Sequence, residues 1–197
     1  MTMSPLEIVG VTLNVAGVWL TARRNMWCWP IGIAGVLVYG YLFWQWRLYG
    51  DMGLQVFYVA LQAYGWRRWR AARTAEAGGL VPVLGDRHCL IVEIVMTGVL
   101  SMVLAWVMTV WTDDAMPRLD AALTCFSLLA AYWAARRYIQ NWPLWISVDA
   151  VYSALFLYRH ETLTAALYSM FTVLAFYGAR QWREVFNQAE PHGLTML

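Results

Sequence analysis

Residues 135–156 read ARRYIQNWPLWISVDAVYSALF, and residues 22–43 read ARRNMWCWPIGIAGVLVYGYLF. The two stretches align without a gap at an offset of 113. Identities fall at Ala22/Ala135, Arg23/Arg136, Arg24/Arg137, Trp29/Trp142, Pro30/Pro143, Ile33/Ile146, Val38/Val151, Tyr39/Tyr152, Leu42/Leu155 and Phe43/Phe156. The same offset pairs Glu7 with Asp120, Tyr64 with Tyr177, Gly65 with Gly178 and Trp69 with Trp182. Apolar helices resemble one another by chance, but chance rarely aligns an Arg-Arg loop, a Trp-Pro helix start and the end signals together. The chain reads as an internal duplication.

Composition sets the solvent. Hydrophobic residues make up 61% of the 197 and charged residues only 13%, with Arg supplying all 14 basic groups. A soluble domain of this size carries roughly a quarter charged residues. Successive apolar segments of about 20 residues match a bilayer core of roughly 30 Å. The expectation is an all-α integral membrane protein with seven transmembrane helices, roughly Pro5–Leu20, Trp27–Trp46, Gly50–Ala71, Cys89–Trp111, Ala115–Trp133, Trp142–Tyr158 and Leu163–Trp182. Tryptophans and tyrosines crowd the segment ends, where interfacial anchors belong.

Eleven arginines (23, 24, 67, 68, 70, 73, 87, 136, 137, 180 and 183) fall in one set of loops, and Arg47, Arg118 and Arg159 in the other. The positive-inside rule makes the first set cytoplasmic, with the N-terminus outside and the C-terminus inside. A net charge of +2 with arginines clustered beside spans gives no reason to expect nucleic acid. Met1–Glu7 lacks the basic start and cleavage site of a signal peptide.

Three spans per repeat require one intervening span to bring the second repeat into the orientation of the first. The predicted plan is 3+1+3: a first repeat over 1–73, a linker and linker helix over 74–112, a second repeat over 113–185 and a polar tail over 186–197. Parallel repeats are one architecture of secondary transporters, with substrate near the midplane. A duplicated structural protein is the plain alternative. Cys28, Cys89 and Cys125 lie far apart without metal-ligand spacing, so they read as packing residues. Neither cofactor nor metal is expected.

A duplicated scaffold keeps its packing residues and diverges where it binds something asymmetric. Trp145 corresponds to Gly32 and Asp149 to Val36, while Trp142 keeps its partner Trp29. Trp142, Trp145 and Asp149 are spaced i, i+3 and i+7, on one helix face. Asp149 falls roughly 10 Å into the span at 1.5 Å per residue. An aspartate near mid-span costs about 2.5–3.5 kcal/mol on insertion scales, so it faces a cavity or a partner. No span interior supplies an Arg for an ion pair.

Gln55, Tyr58 and Gln62 form a second candidate stripe, replaced by Tyr168, Phe171 and Ala175 in the other repeat, with Tyr168 a further substrate-binding candidate. Glutamines can equally bond between helices, worth about 0.6 kcal/mol each. Asn14, replaced by Ser127, is a weaker candidate. Glu7, with its acidic counterpart Asp120, reads as a helix N-terminal charge. Glu93, Thr97 and Ser101 read as packing contacts. A tryptophan pair, one carboxylate and several amides suit a flat, polar, electron-poor or cationic ring.

The pattern W-x-x-W-x-x-x-D at Trp142, Trp145 and Asp149, preceded by ARRYIQN, resembles the W-x-x-W-x-x-x-N/D signature of the Pnu-type (PnuC family) vitamin transporters. The stretch LYGDMGLQVFYVALQAYGWRRW at residues 48–69 resembles that family's other characteristic segment, and the likeness extends over nearly the whole chain. The resemblance implies facilitated diffusion of an unphosphorylated vitamin (nicotinamide riboside first, then thiamine or riboflavin) across the bacterial inner membrane. It also implies trapping by a cytoplasmic kinase, and a homotrimer. By position it implies that Trp142, Trp145 and Asp149 line the site, with Gln55 a further contact. Asp149 stands where nicotinamide riboside transporters commonly carry Asn.

Asp149 and Glu93 are the ionisable groups away from helix ends, which favours a uniporter over an ion-coupled carrier. An intramembrane enzyme would need a nucleophile and base or a metal cluster in the bilayer. His88, His160 and His192 instead fall at helix ends or in loops, and HExxH and GxSxG motifs do not occur. A non-transporting receptor could keep the same pocket, and only flux separates it from a carrier. A sugar transporter on the same plan fits a paired-tryptophan site with a carboxylate less well.

Overall fold

The computed structural model describes residues 4–47, 49–75, 80–113 and 116–189. Over these it is all-helical: α1 Pro5–Ala22, α2 Cys28–Gln45, α3 Tyr49–Ala75, α4 Arg87–Trp111, α5 Pro117–Ala135, α6 Asn141–Tyr158 and α7 Thr162–Ala189. Each expected segment is a helix. The predicted start at Ala115, Leu48 of the quoted motif, residues 76–79 of the linker and 190–197 of the tail lie outside the described residues.

Two helices overrun their expected ends. α3 continues to Ala75 and α7 to Ala189, so residues 186–189 are helix instead of tail. Neither overrun contains Gly or Pro, and its charged and amide side chains are good helix formers that need only water around them. Three helices are long and apolar enough on their own to cross a membrane: α1, α4 and α7. The spans of α2, α5 and α6 are diluted by Trp, Tyr, Gly and polar residues.

Helix ends follow local rules. Ser4 and Glu7 close a capping box on α1, each side chain accepting the other's backbone N–H, with Pro5 in the first turn. Glu7 is thus the N-terminal residue its position suggested. Asp86 caps α4 by accepting the Cys89 N–H at 3.0 Å, and that bond holds its carboxyl below the usual carboxylate range. Pro30 and Pro143 are the third residues of α2 and α6, still in the first turn, where no intrahelical N–H is lost.

The C-termini of α1, α2, α5 and α6 are each followed by a non-glycine residue in the left-handed region: Arg24 (φ 54°), Arg47 (61°), Arg137 (64°) and His160 (59°). After α1 the Arg24 and Asn25 N–H groups bond back to the Thr21 and Leu20 carbonyls, and after α6 His160 and Glu161 bond to Leu157 and Phe156. These are Schellman closures built without glycine.

The chain forms two compact units. The first comprises α1–α3, Ala135–Arg137 and α7 from Tyr177 onward. Here α2 packs against both α1 and α3. Its core is a tryptophan trio: Trp69 meets Trp29 edge-on at 5.1 Å between centroids and Trp182 at 5.9 Å. The Trp182 indole donates to the Thr21 carbonyl at 3.1 Å. Gly65 lies under the Trp29 ring so closely that a Cβ would overlap it. The Arg24 and Arg137 guanidiniums donate to the neighbouring carbonyls of Leu80 and Val81, each at 3.0 Å.

The second unit comprises Val83–Ala134 and Tyr138–Phe176. Leu90, Leu129 and Trp133 form its buried centre, with Phe126, Tyr132, Tyr138 and Leu144 against them. Trp133 donates to the Glu93 carboxylate at 2.6 Å, so Glu93 serves packing as its sequence reading held. Val83 pairs with Tyr138 in an isolated bridge, its carbonyl accepting the Ile139 N–H at 3.0 Å, and the Gly85 N–H donates to Gln140. α4 exposes Ile91, Val92, Met96, Val99, Met102, Val103, Trp106 and Val110, which in water would be a costly apolar surface and in lipid is the expected one.

Candidate functional site

In the second unit the candidate site is built on α6. Trp142 is 1% exposed and Asp149 5%, and Trp145 is partly buried. All three lie on one arc of the helix, as their i, i+3, i+7 spacing requires. A carboxylate buried this far loses most of its hydration, a cost recovered only through a partner that is positive or donates hydrogen bonds. The two indoles, about one and two turns before it on the helix, are flat, apolar and electron-rich on their faces.

Asn141 was not foreseen as a site residue. It is 0% exposed, and its amide donates to the Tyr138 carbonyl at 2.6 Å, while its own side-chain oxygen is buried without a hydrogen-bond partner among the described residues. It sits four residues before Trp145 and eight before Asp149, on the same side of α6. A signal was available: its repeat counterpart is Cys28, the same kind of divergence that marked Trp145 and Asp149.

Tyr168 on α7 stacks on two α6 rings, Tyr152 at 4.6 Å and Phe156 at 5.4 Å. The Ser153 and Ser169 hydroxyls lie 2.7 Å apart and each is within reach of the Ala165 carbonyl, at 3.2 and 2.9 Å, so one donates to the other and the acceptor donates to that carbonyl. Tyr168 therefore belongs to an aromatic wall that fixes α7 against α6.

In the first unit the polar candidates converge on the glycine face of α2. A Cβ at Gly32 would lie 2.6 Å from the Gln62 amide nitrogen, and one at Gly35 would lie 3.2 Å from the Asn14 side-chain oxygen. A Cβ at Gly40 would lie 3.7 Å from the Gln55 side chain. Asn14 of α1 and Gln55 and Gln62 of α3 thus reach the same helix from its two neighbours, admitted by missing side chains. Tyr58 lies partly buried on the α3 stripe with them.

At the 113 offset Gly32 and Gln62 align with Trp145 and Ala175, exchanging small for large at both positions, and Gln62 fills the space over Gly32. Ala175 is 1% exposed. Within the described residues no three His, Cys, Asp or Glu side chains group as metal ligands. Cys28 and Cys125 are buried and Cys89 is exposed.

Comparison with known proteins places this chain among transporters. Residues 4–184 match the family model described as nicotinamide mononucleotide transporter. The nicotinamide riboside transporter PnuC of Escherichia coli (strain K12) is 24% identical over 99% of this chain and 90% of its own. The riboflavin/roseoflavin transporter RibM of Streptomyces davaonensis is 26% identical over 89% of this chain and 83% of its own. A crystal structure of the vitamin B3 transporter PnuC superposes with a TM-score of 0.75 at 21% identity, over 93% of this chain and 82% of that one.

Proposed function

The chain belongs to the nicotinamide mononucleotide transporter family and is a membrane transporter, not an enzyme, and from that premise we propose that it carries nicotinamide riboside inward by facilitated diffusion. The observation that carries the substrate choice is Asp149, a buried carboxylate on the same helix face as two tryptophans. A pyridinium ring offers the positive charge the carboxylate needs and a flat, electron-poor face for the indoles. A phosphorylated ligand would bring negative charge toward Asp149, where like charges repel in a low dielectric. The same reasoning favours the nucleoside over the mononucleotide.

Thiamine also carries a cationic ring and is the second reading; riboflavin, the substrate named for a relative, is neutral and gains nothing from the carboxylate. Trp142 and Trp145 hold the ring. Asp149 meets its charge, and Tyr168 steadies the helix they stand on. Asn14, Gln55, Tyr58 and Gln62 of the first unit remain proposed substrate contacts in their own right, by their divergence at the 113 offset and by side chains able to donate and accept hydrogen bonds.

The architecture we propose is 3+1+3, with repeats over 1–73 and 113–185, a linker segment over 74–112 and a tail over 186–197. Three recurrences at the 113 offset support it. Helix ends recur at Ala22/Ala135 and Gln45/Tyr158. Left-handed residues recur at Arg24/Arg137 and Arg47/His160. The guanidiniums of Arg24 and Arg137 make equivalent bonds to adjacent carbonyls. The arginine distribution favours seven spans with the N-terminus outside and the C-terminus cytoplasmic, in an inner membrane. A downstream kinase and a trimeric assembly are implied by family resemblance.

The test is uptake into proteoliposomes of nicotinamide riboside, thiamine and riboflavin, with nicotinamide mononucleotide as the charge control. Saturable, sodium- and proton-independent entry of nicotinamide riboside is expected. Entry of the mononucleotide at equal rate, or proton flux accompanying uptake in sealed vesicles, would overturn the reading.

A further inference from the structure

We propose that a groove on α4 and α5, within the second unit, binds an anionic phospholipid with its phosphate on Arg118. The groove is a cavity of about 340 Å³ lined by Ser101, Met102, Ala105, Trp106, Thr109 and Arg118. None of these belongs to the substrate-site candidates. The volume lies at the lower end of ligand-sized pockets, which run from roughly 300 to 1,000 Å³.

Its floor and walls come from the spacing of α4. Ser101, Ala105 and Thr109 follow at i, i+4 and i+8, so three small side chains form a trough along one face. Ser101 and Ala105 are 9% and 8% exposed, whereas Met102 and Trp106 beside them are 73% and 65% exposed. From Ser101 to Thr109 the trough runs roughly 12 Å at 1.5 Å per residue, a length that suits part of an acyl chain. The hydroxyls offer no donor to a ligand. Ser101 donates to the Gly98 carbonyl and Thr109 to the Ala105 carbonyl, each at 2.7 Å.

The trough is therefore apolar in effect and ends at one cation. Arg118 is the second residue of α5, at the positive end of the helix dipole, where a basic side chain is disfavoured. An anion seated there is drawn by the guanidinium and by the helix terminus together. Pro117 starts the helix without an N–H to spare. An apolar trough, a tryptophan near the end of a span and a guanidinium at its mouth match a lipid tail, an interfacial anchor and a phosphate headgroup in order. A soluble phosphate would leave the trough empty, and a neutral zwitterionic lipid would bring its own cation toward Arg118.

The experiment is native mass spectrometry of the purified full-length transporter titrated with dioleoylphosphatidylglycerol or dioleoylphosphatidylcholine, for wild type, Arg118→Ala, Arg118→Lys and Ala105→Trp. Wild type should bind the glycerol lipid about fivefold more tightly than the choline lipid, as one basic side chain near a membrane surface implies. Arg118→Ala should abolish that preference and Arg118→Lys should keep most of it. Ala105→Trp fills the floor and should expel the lipid with Arg118 still in place, so the proposal stands or falls even where Arg118→Ala does not fold. An unchanged preference in Arg118→Ala, equal binding of the two lipids, or release of the glycerol lipid by millimolar inorganic phosphate would each overturn it. So would a disulfide between copies through Met102→Cys at high yield, which would mean that a second copy covers the groove.

Discussion

Replacing Asp149 with Asn should weaken substrate binding and strengthen the fold at the same time. The side chain keeps its shape and loses its charge. At about 5 Å and an effective dielectric near 20, a carboxylate and a pyridinium attract by roughly 3 kcal/mol. Asn still accepts a hydrogen bond, so about 1.5–3 kcal/mol should be lost, or roughly 10- to 150-fold in Kd. Burial acts in the opposite direction. Asp149 is 5% exposed, and a mid-span aspartate costs about 2.5–3.5 kcal/mol on insertion scales, part of which the neutral amide avoids.

The assay is isothermal titration of purified protein with nicotinamide riboside, paired with thermal unfolding without ligand. A higher melting temperature with at least tenfold weaker binding is the expected signature. Riboflavin, being neutral, should lose no more than about twofold if it binds at all. Binding of nicotinamide riboside unchanged within twofold would refute the cation argument. A lowered melting temperature would show that Asp149 serves a structural ion pair.

The other expectations concern the scaffold and the tryptophan site. Gly65→Ala forces a methyl into the Trp29 ring and should destabilise by about 1–3 kcal/mol; an unshifted unfolding midpoint would contradict that packing. Trp182→Phe keeps the ring contact with Trp69 but deletes the bond to Thr21, costing about 1 kcal/mol. Trp182→Ala should cost about 3–5 kcal/mol, and equal midpoints for the two variants would contradict the trio as a core. Trp145→Gly restores the residue of the other repeat and should weaken nicotinamide riboside binding by about 1–3 kcal/mol, read from the same titration. Asp86→Ala should lower the melting temperature at neutral pH. Because the folded carboxyl titrates below its ordinary value of about 3.9, the difference should persist down to that pH. It should vanish as pH falls through the lower folded value, and a difference unchanged at pH 2 would refute the capping role.

Much of this protein was legible from the chain alone, because a bilayer simplifies the code. Backbone groups in lipid must be bonded within their own segment, so apolar length converts directly into helices, and all seven expected segments are helical. The proposed repeat rests on loop and cap residues such as Arg24/Arg137 and Trp29/Trp142, which recur at the 113 offset and which packing alone would not align. Divergence between repeats then singled out Trp145 and Asp149, since asymmetry in a duplicated scaffold has to be explained by something bound or by compensating bulk.

Other features required the fold. That Gln62 lies over Gly32, and Asn14 over Gly35, depends on how α1 and α3 approach α2, which helical spacing does not encode. That Tyr168, a site candidate by its alignment with Gln55, stacks on Tyr152 and Phe156 depends on how α7 meets α6. Trp182 meets Trp69 and the Thr21 carbonyl, residues more than a hundred positions earlier. Sequence determined which segments are helical and which positions differ at the 113 offset, because hydropathy and residue identity can be read along the chain without knowing its neighbours in space. Tertiary structure decided which of those positions touch, because close approach depends on helix crossing and on where glycine leaves room.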